Sequence, residues 1–301
     1  MTNMKAKTLA QSDICFLGAG NMAVAMIRGL IAGGLVKGSQ LYVLNRSGGE
    51  KIEKLGEQYG VRAGTIDRHQ AEAVSGADVV VLAMKPKDAG EALFKLAPLL
   101  REGQLIVSVI AGLSIGSLQN ALGRRPVVRT MPNTSSTIGL GATGIAFSPE
   151  VSEAQRKLTL EMFEATGKTA VVLEEAIDAV NALSGSGPAY IYYMMEAMIA
   201  GGVEQGLTPR QALELTAQTV LGAATMVLKT GEDPAELRRK VTSPNGTTQA
   251  AIEVLAGREF QASVRQAMLR CAERAREMGA EIDARIESIG KSQWTESGGS
   301  K

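Results

Sequence analysis

The stretch ICFLGAGNMAVAMIRGLIA, residues 14–32, decides the fold. Asp13 to Leu17 reads as a strand, Gly18-Ala19-Gly20 breaks it, and Asn21 to Ala32 repeats apolar side chains at helical spacing. A GxGxxA pattern says little alone. Here it ends a strand and opens a helix, which is the context that binding of a dinucleotide requires. Gly18 permits the tight turn, Gly20 lets the backbone approach a pyrophosphate, and Ala23 keeps helix and sheet close. The helix start supplies N–H groups and the positive end of its dipole to the phosphates. Gly18, Ala19, Gly20, Asn21, Met22 and Ala23 are therefore the candidate phosphate-binding loop.

Outward from this unit the alternation continues. Gln40–Asn45, Asp78–Met84, Gln104–Ile110, Val127–Met131, Gly144–Phe147 and Thr169–Leu173 read as strands. Helical patterns at Glu50–Tyr59, Asp67–Ser75, Ala89–Leu100, Ser114–Leu122 and Ser152–Thr166 fall among them. Such alternation predicts an α/β chain with a Rossmann-like, doubly wound, mainly parallel sheet. Past Glu174 only helical periodicity remains, at Ala176–Leu183, Ala189–Gln205, Pro209–Lys229, Pro234–Val241, Thr247–Leu255 and Phe260–Met278. The expected organisation is a nucleotide-binding domain over 1–174, an all-helical substrate and dimerisation domain over 175–290, and a frayed, flexible tail over 291–301.

Composition excludes several classes. With 32 basic against 31 acidic residues among 301, bulk electrostatics draws in neither nucleic acid nor an anionic membrane. One histidine, His69, leaves no multi-histidine metal site, and no metal is expected. Cys15 and Cys271 form no CxxC, and Cys15 reads as a buried free thiol rather than half of a long-range bridge. Met1–Ser12 lacks a signal peptide's apolar stretch, and the apolar run Ala189–Val203 is short and holds Glu196, so a soluble cytoplasmic protein is expected.

The second strand ends Leu44-Asn45-Arg46-Ser47, with no carboxylate for a ribose 2′-hydroxyl. Asn45, Arg46 and Ser47 suit a 2′-phosphate by charge-assisted hydrogen bonds, which favours NADPH and leaves NADH usable; the alternative is Arg46 as a solvated turn residue. Ala83-Met84-Lys85-Pro86 and Val109-Ile110-Ala111-Gly112 follow two more strands, where open α/β sheets bind ligands. Met131-Pro132-Asn133 is a third such loop or a structural turn. In the helical half, Thr242, Ser243, Thr247 and Thr248 surround Gly246 at a helix start, an arrangement suited to a substrate carboxylate, with ordinary N-capping as the alternative.

Taken together, GAGNMA (18–23), LAMKP (82–86), MPN (131–133), IDAVNALSGSGPAY (177–190) and VTSPNGTT (241–248) make the chain, from Ile14 to Glu277, resemble the pyrroline-5-carboxylate reductase family. The resemblance implies NAD(P)H-dependent reduction of the cyclic imine 1-pyrroline-5-carboxylate to L-proline, by a homodimer joined through helical domains and often assembled into rings. It places adenosine-side contacts at Asn45, Arg46, Ser47 and Gln70, although many members have Asn where Gln70 stands. Nicotinamide-side contacts fall on Ala83, Met84, Lys85, Pro86, Val109 and Ala111. Substrate contacts fall on Ser243, Gly246, Thr247 and Thr248, with Lys240 and Glu174 also carried over. Thr248 is the expected catalytic hydroxyl, bonding the imine nitrogen. Asn245 stands where many members have Gly, in a turn position that tolerates Asn. A related β-hydroxyacid dehydrogenase would need a lysine on the long helix after Pro188, and residues 189–202 hold none. A non-catalytic NADP(H)-binding regulator would lose the Ser/Thr helix start, which is intact.

Overall fold

The computed structural model describes residues 7–46 and 48–296. Eight strands form one sheet: β1 (Ile14–Leu17), β2 (Leu41–Asn45), β3 (Arg62–Thr65), β4 (Val79–Leu82), β5 (Leu105–Ser108), β6 (Val127–Met131), β7 (Gly141–Phe147) and β8 (Gly167–Val171). Their order is β3-β2-β1-β4-β5-β6-β7-β8, parallel throughout except for the β6–β7 pair. The chain leaves β1 for β2 on one side and returns to β4 on the other, so the topological switch point, where open α/β sheets bind ligands, lies between β1 and β4.

Strand period two explains both covered faces. Phe16, Val43, Val81 and Val107 share one apolar layer with Met26, Ile27 and Leu30 of α1 (Asn21–Ala32) and Phe163 of α6 (Glu153–Glu164). Cys15, Leu17, Val80, Leu82 and Ile106 share the other with Leu93 of α4 (Pro86–Leu96) and Leu118 of α5 (Ile115–Leu122). Each such buried large side chain contributes about 1.5–3 kcal/mol. Both cysteines are free, Cys15 buried and its thiol pushed up to about 12 by that burial.

The helices α1 and α2 (Glu50–Tyr59) occupy the residues expected, whereas β3 has no counterpart in the apolar pattern. It is a polar edge strand following α2, held partly by the Arg62 guanidinium 4.6 Å above the Tyr42 ring, so no apolar run announces it. A second departure lies at 176–183, where one helix was expected. A 3-10 turn at Glu174–Ala176, the short α7 (Ile177–Val180) and a π turn at Asn181–Gly185 stand there instead. The Ser186 N–H reaches Asn181 O at 2.8 Å and Ser184 Oγ donates to Val180 O at 3.1 Å, which widens the turn.

Five helices follow: α8 (Gly187–Glu204), α9 (Pro209–Thr230), α10 (Pro234–Lys240), α11 (Thr247–Gly257) and α12 (Phe260–Glu296). Thr208 and Gln211 form a capping box at the start of α9, with Pro209 in the first position. Asp233 caps α10 through the Ala235 N–H at 2.7 Å. The expectation placed a boundary at Glu174, where the strands end. Contacts instead join everything up to Ser186 with everything from Cys271 onward, and gather Gly187–Arg270 into a second unit. The helix expected to stop at Met278 runs to Glu296, so residues 291–296 of the expected tail are helical, and 297–301 lie outside the described residues. Glu, Ala and Arg are all strong helix formers, which lets a largely polar segment stay helical. No described helix is long and apolar enough to cross a membrane.

Candidate active site

Three parallel ladders run one residue beyond their strands. The Gly18 N–H donates to Leu44 O at 2.7 Å, Ala83 N–H to Leu17 O at 3.0 Å, and Val109 N–H to Leu82 O at 3.1 Å. These bonds bring the loops that start at Gly18, Ala83 and Val109 side by side at the carboxyl edge of the sheet. Gly18 has φ +119°, and a Cβ there would lie 2.4 Å from Ala83 O, so the loop closes over backbone alone. Gly20 is the N-cap of α1 without a side-chain cap, which leaves the N–H groups of Asn21 and Met22 to an outside acceptor. Ala23 is fully buried against the sheet. A bare backbone cradle and an uncapped helix start fit a pyrophosphate.

In the loop expected to face the adenosine, Asn45 shapes its own turn: its Oδ1 accepts from the Gly48 N–H at 2.7 Å, and its Nδ2 donates to Gly48 O at 3.2 Å. Arg46, with its side chain 76% exposed, pairs with Asp88 of α4 at 2.8 Å. That hydrogen bond holds the Asp88 carboxyl below the usual carboxylate range. One face of the guanidinium is thus oriented and its remaining donors are available to an anion. Gln70 sits half-buried on α3 (Ile66–Gly76), and Ser47 lies outside the described residues. Met84 is half-buried; Lys85 is the exposed N-cap of α4 and Pro86 its first residue, so Lys85 works as a loop residue there. Ala111 lies in a shallow surface depression with Ile110, Gly112, Arg129, Asp178 and Asn181.

The second unit holds the other group. Gly246 is the uncapped N-cap of α11, its own N–H bonded to Ser243 O at 3.0 Å. Asn245 adopts φ 58°, a left-handed position that Asn tolerates, and its N–H is held by Gln249 Oε1 at 2.8 Å. Ser243 and Thr247 are exposed and Thr248 is half-buried, so their hydroxyls gather around a helix start whose N–H groups are open. Thr242 does not share this role, because its Oγ1 donates to Arg238 O at 2.7 Å. Lys240 Nζ is engaged by Glu232.

Over 271 residues the chain is 44% identical to a pyrroline-5-carboxylate reductase of Pseudomonas aeruginosa, covering 89% of this chain and 97% of that protein. The chain belongs to the pyrroline-5-carboxylate reductase family. The family's dimerisation model matches residues 174–278, and a model described as NADP oxidoreductase, coenzyme F420-dependent, matches 13–112. A solved pyrroline-5-carboxylate reductase from Coxiella burnetii matches with a TM-score of 0.82 at 38% identity, over 89% of this chain and 98% of that one. The NADP-bound pyrroline carboxylate reductase of Plasmodium falciparum matches with 0.80 at 27% identity, over 90% and 99%.

One family carry-over meets unexpected surroundings. Glu174 Oε1 accepts from the Ile115 N–H at 2.6 Å, at the start of α5, and lies 3.4 Å from Arg129. Arg129 is buried in β6 and also pairs with Asp178 at 2.9 Å. Glu174 therefore caps α5 and neutralises a buried arginine, and this cluster went unpredicted. Its signal was present: one cation within the apolar run Val-Val-Arg-Thr-Met requires buried partners. Asn133 joins Ser184 O at 3.0 Å to the Ala142 N–H at 3.2 Å, so Met131-Pro132-Asn133 is a structural turn bracing the π segment.

Proposed function

We propose that the chain takes its reducing equivalents from NADPH in preference to NADH, and that the start of α11 holds the substrate. The reaction is the reduction of the ring C=N bond of 1-pyrroline-5-carboxylate to L-proline, a step of proline biosynthesis. The observation that carries the residue assignment is the uncapped start of α11, where open N–H groups and the hydroxyls of Ser243, Thr247 and Thr248 stand together. The open backbone N–H of Thr247 and the Ser243 hydroxyl anchor the substrate carboxylate, while the Gly246 N–H, held by Ser243 O, fixes the turn. Thr248 Oγ1 bonds the ring nitrogen and relays a proton to it as the ring carbon is reduced.

The cradle of Gly18 to Ala23 holds the pyrophosphate, Asn45, Arg46, Ser47 and Gln70 the adenosine ribose and its 2′-phosphate. Ala83 to Pro86 with Val109 and Ala111 hold the nicotinamide. When bound, this cofactor supplies a hydride to the imine carbon. Arg46, already oriented by Asp88, gives the preference for the phosphorylated cofactor. A protonated imine accepts a hydride readily, so positioning and charge stabilisation are the protein's whole contribution, with neither a covalent nucleophile nor a metal. Lys240 and Glu174, engaged by Glu232 and by Ile115 with Arg129, act on this site through structure rather than contact. The assembly is a homodimer, or a ring of dimers, built through the helical unit, and two free thiols suit a cytoplasmic protein.

The test follows the absorbance of NADPH, with NADH in parallel, during reduction of pyrroline-5-carboxylate. Wild type turns over, Thr248→Ala loses about ten- to a thousandfold in kcat, and Thr248→Ser recovers most of it. Arg46→Ala loses about tenfold in kcat/KM with NADPH and little with NADH. A Thr248→Ala variant of wild-type kcat overturns the hydroxyl's role, and equal losses with both cofactors overturn that of Arg46.

A further inference from the structure

The family's dimerisation model ends at residue 278, yet α12 continues unbroken to Glu296. One stripe of that helix is inward-facing: Ala272, Ala275, Gly279, Ile282, Ile286 and Ile289, at alternating spacings of three and four. Its composition changes along the stripe. Small residues come first, where α12 lies against the backbone: a Cβ on Gly279 would fall 2.8 Å from Gly112 O, and Gly112 itself has φ +80°. Isoleucines come next, with Ile282 and Ile286 buried in the layer that contains Leu93 of α4 and Leu118 of α5. Ile289 lies against Gly90 of α4, where a Cβ would meet it at 3.0 Å.

Polar contacts flank the stripe. Arg285 donates to Lys87 O at 2.9 Å, and Ser117 Oγ donates to the Asp283 carboxylate. Gly112 directly follows Ala111 and Lys87 directly follows Pro86, so α12 touches the residue after each of the two loops assigned to the nicotinamide half. A small-residue stripe against a neighbouring backbone admits no slack, because side-chain rotation cannot relieve a shift there.

We propose that the segment of α12 from Gly279 to Ile289 is a brace that holds both nicotinamide loops from behind, with Gly279 and Arg285 as positioning residues for cofactor binding. The brace rests on the reading of those loops as cofactor-binding. Gly279→Ala pushes the Gly112 carbonyl and with it the loop from Val109; Arg285→Ala releases the Lys87 carbonyl. Both raise the NADPH Kd, measured by quenching of protein fluorescence, by roughly three- to thirtyfold. Arg285→Lys, which keeps a donor, restores most of the affinity. Leu158→Ala, a truncation on α6, lowers Tm and leaves the Kd unchanged, which separates positioning from general destabilisation.

Arg285 is exposed, so its variants carry the test even where Gly279→Ala fails to fold. Unchanged Kd values in the α12 variants, alongside lost binding in Gly18→Ala, overturn the brace and leave the loop assignment standing. Unchanged affinity in Gly18→Ala overturns the loop assignment, and the brace falls with it.

Discussion

The two compact units bury their apolar residues very differently. In the sheet unit the strands β1, β4 and β5 are inaccessible along their whole length. In Gly187–Arg270 only Ala212 and Thr216 are buried, while Leu213, Leu215, Leu221 and Leu228 of α9 stand exposed, Leu228 at 81%. Both regions carry much apolar surface, and they dispose of it by different means. A covered parallel sheet closes its core within one chain. Helices with apolar residues on several faces leave patches that mark an interface with another protein surface. The family's dimerisation model falls on 174–278, where these exposed residues lie. The residues proposed for cofactor and substrate divide along the same line, with the Gly18–Ala23 loop on the self-sufficient unit and the Ser243–Thr248 turn on the other.

The most damaging single change follows from the cradle. Gly18→Ala places a Cβ 2.4 Å from Ala83 O on a backbone with φ +119°, so both loops must move. NADPH affinity should fall on the order of a hundredfold, measured by direct titration, as it does when a bound group is misplaced by about 1 Å. The helical unit should keep its assembly in this variant. Wild-type affinity would show that the cradle does not approach the cofactor.

The converse change is smaller. Leu221 and Leu228 lie two turns apart on one face of α9. The double variant Leu221→Arg/Leu228→Arg should weaken self-association by about thirtyfold, matching the loss of one interface hot spot. Light scattering over a dilution series reads that shift, while NADPH binding by the sheet unit persists. Association at the wild-type midpoint would place the interface elsewhere, and parallel loss of NADPH binding would refute the sheet unit's self-sufficiency.

Legibility in the sequence followed the range of the interactions. The bounds of α1 and α2 depend on local signals, a glycine fingerprint for one and Gly49 and Gly60 around the other, and they stand where expected. The α11 turn is likewise a short motif whose bonds come from neighbours, whereas the glycine loop, legible as a motif, closes against the distant Leu44 and Ala83. What escaped reading depends on distant partners. Arg46 meets Asp88, Glu174 meets Ile115 and Arg129, and Arg285 meets Lys87, none of them neighbours in sequence. The strand β3 needed β2 beside it, since its own residues are too polar and too exposed to announce a strand. The length of α12 was hidden by composition: charged residues cover three sides of a helix whose fourth side is a sparse stripe of Gly, Ala and Ile.

The smallest expected effect tests the comparison through proton linkage. Glu150, just after β7, accepts from Arg124 Nε at 2.6 Å and Gln119 Nε2 at 2.8 Å. The Arg124 hydrogen bond, followed by those of Ser148 and Gln119, lowers its carboxyl from 4.5 to about 2. The folded state therefore binds fewer protons than the unfolded chain between those values. Its contribution to stability is complete above 4.5 and disappears as pH falls toward about 2. Wild type should melt above Glu150→Gln at neutral pH, and the gap should close across that window. Because Arg124 is open to solvent, high salt should shrink the gap as well. The gap should not depend on protein concentration, since Glu150 belongs to the unit that closes its own core, whereas the α9 effect must. A concentration-dependent Glu150 gap would mean that the sheet unit also draws stability from assembly, and a gap persisting at pH 2 would mean that Arg124 does not hold the carboxylate.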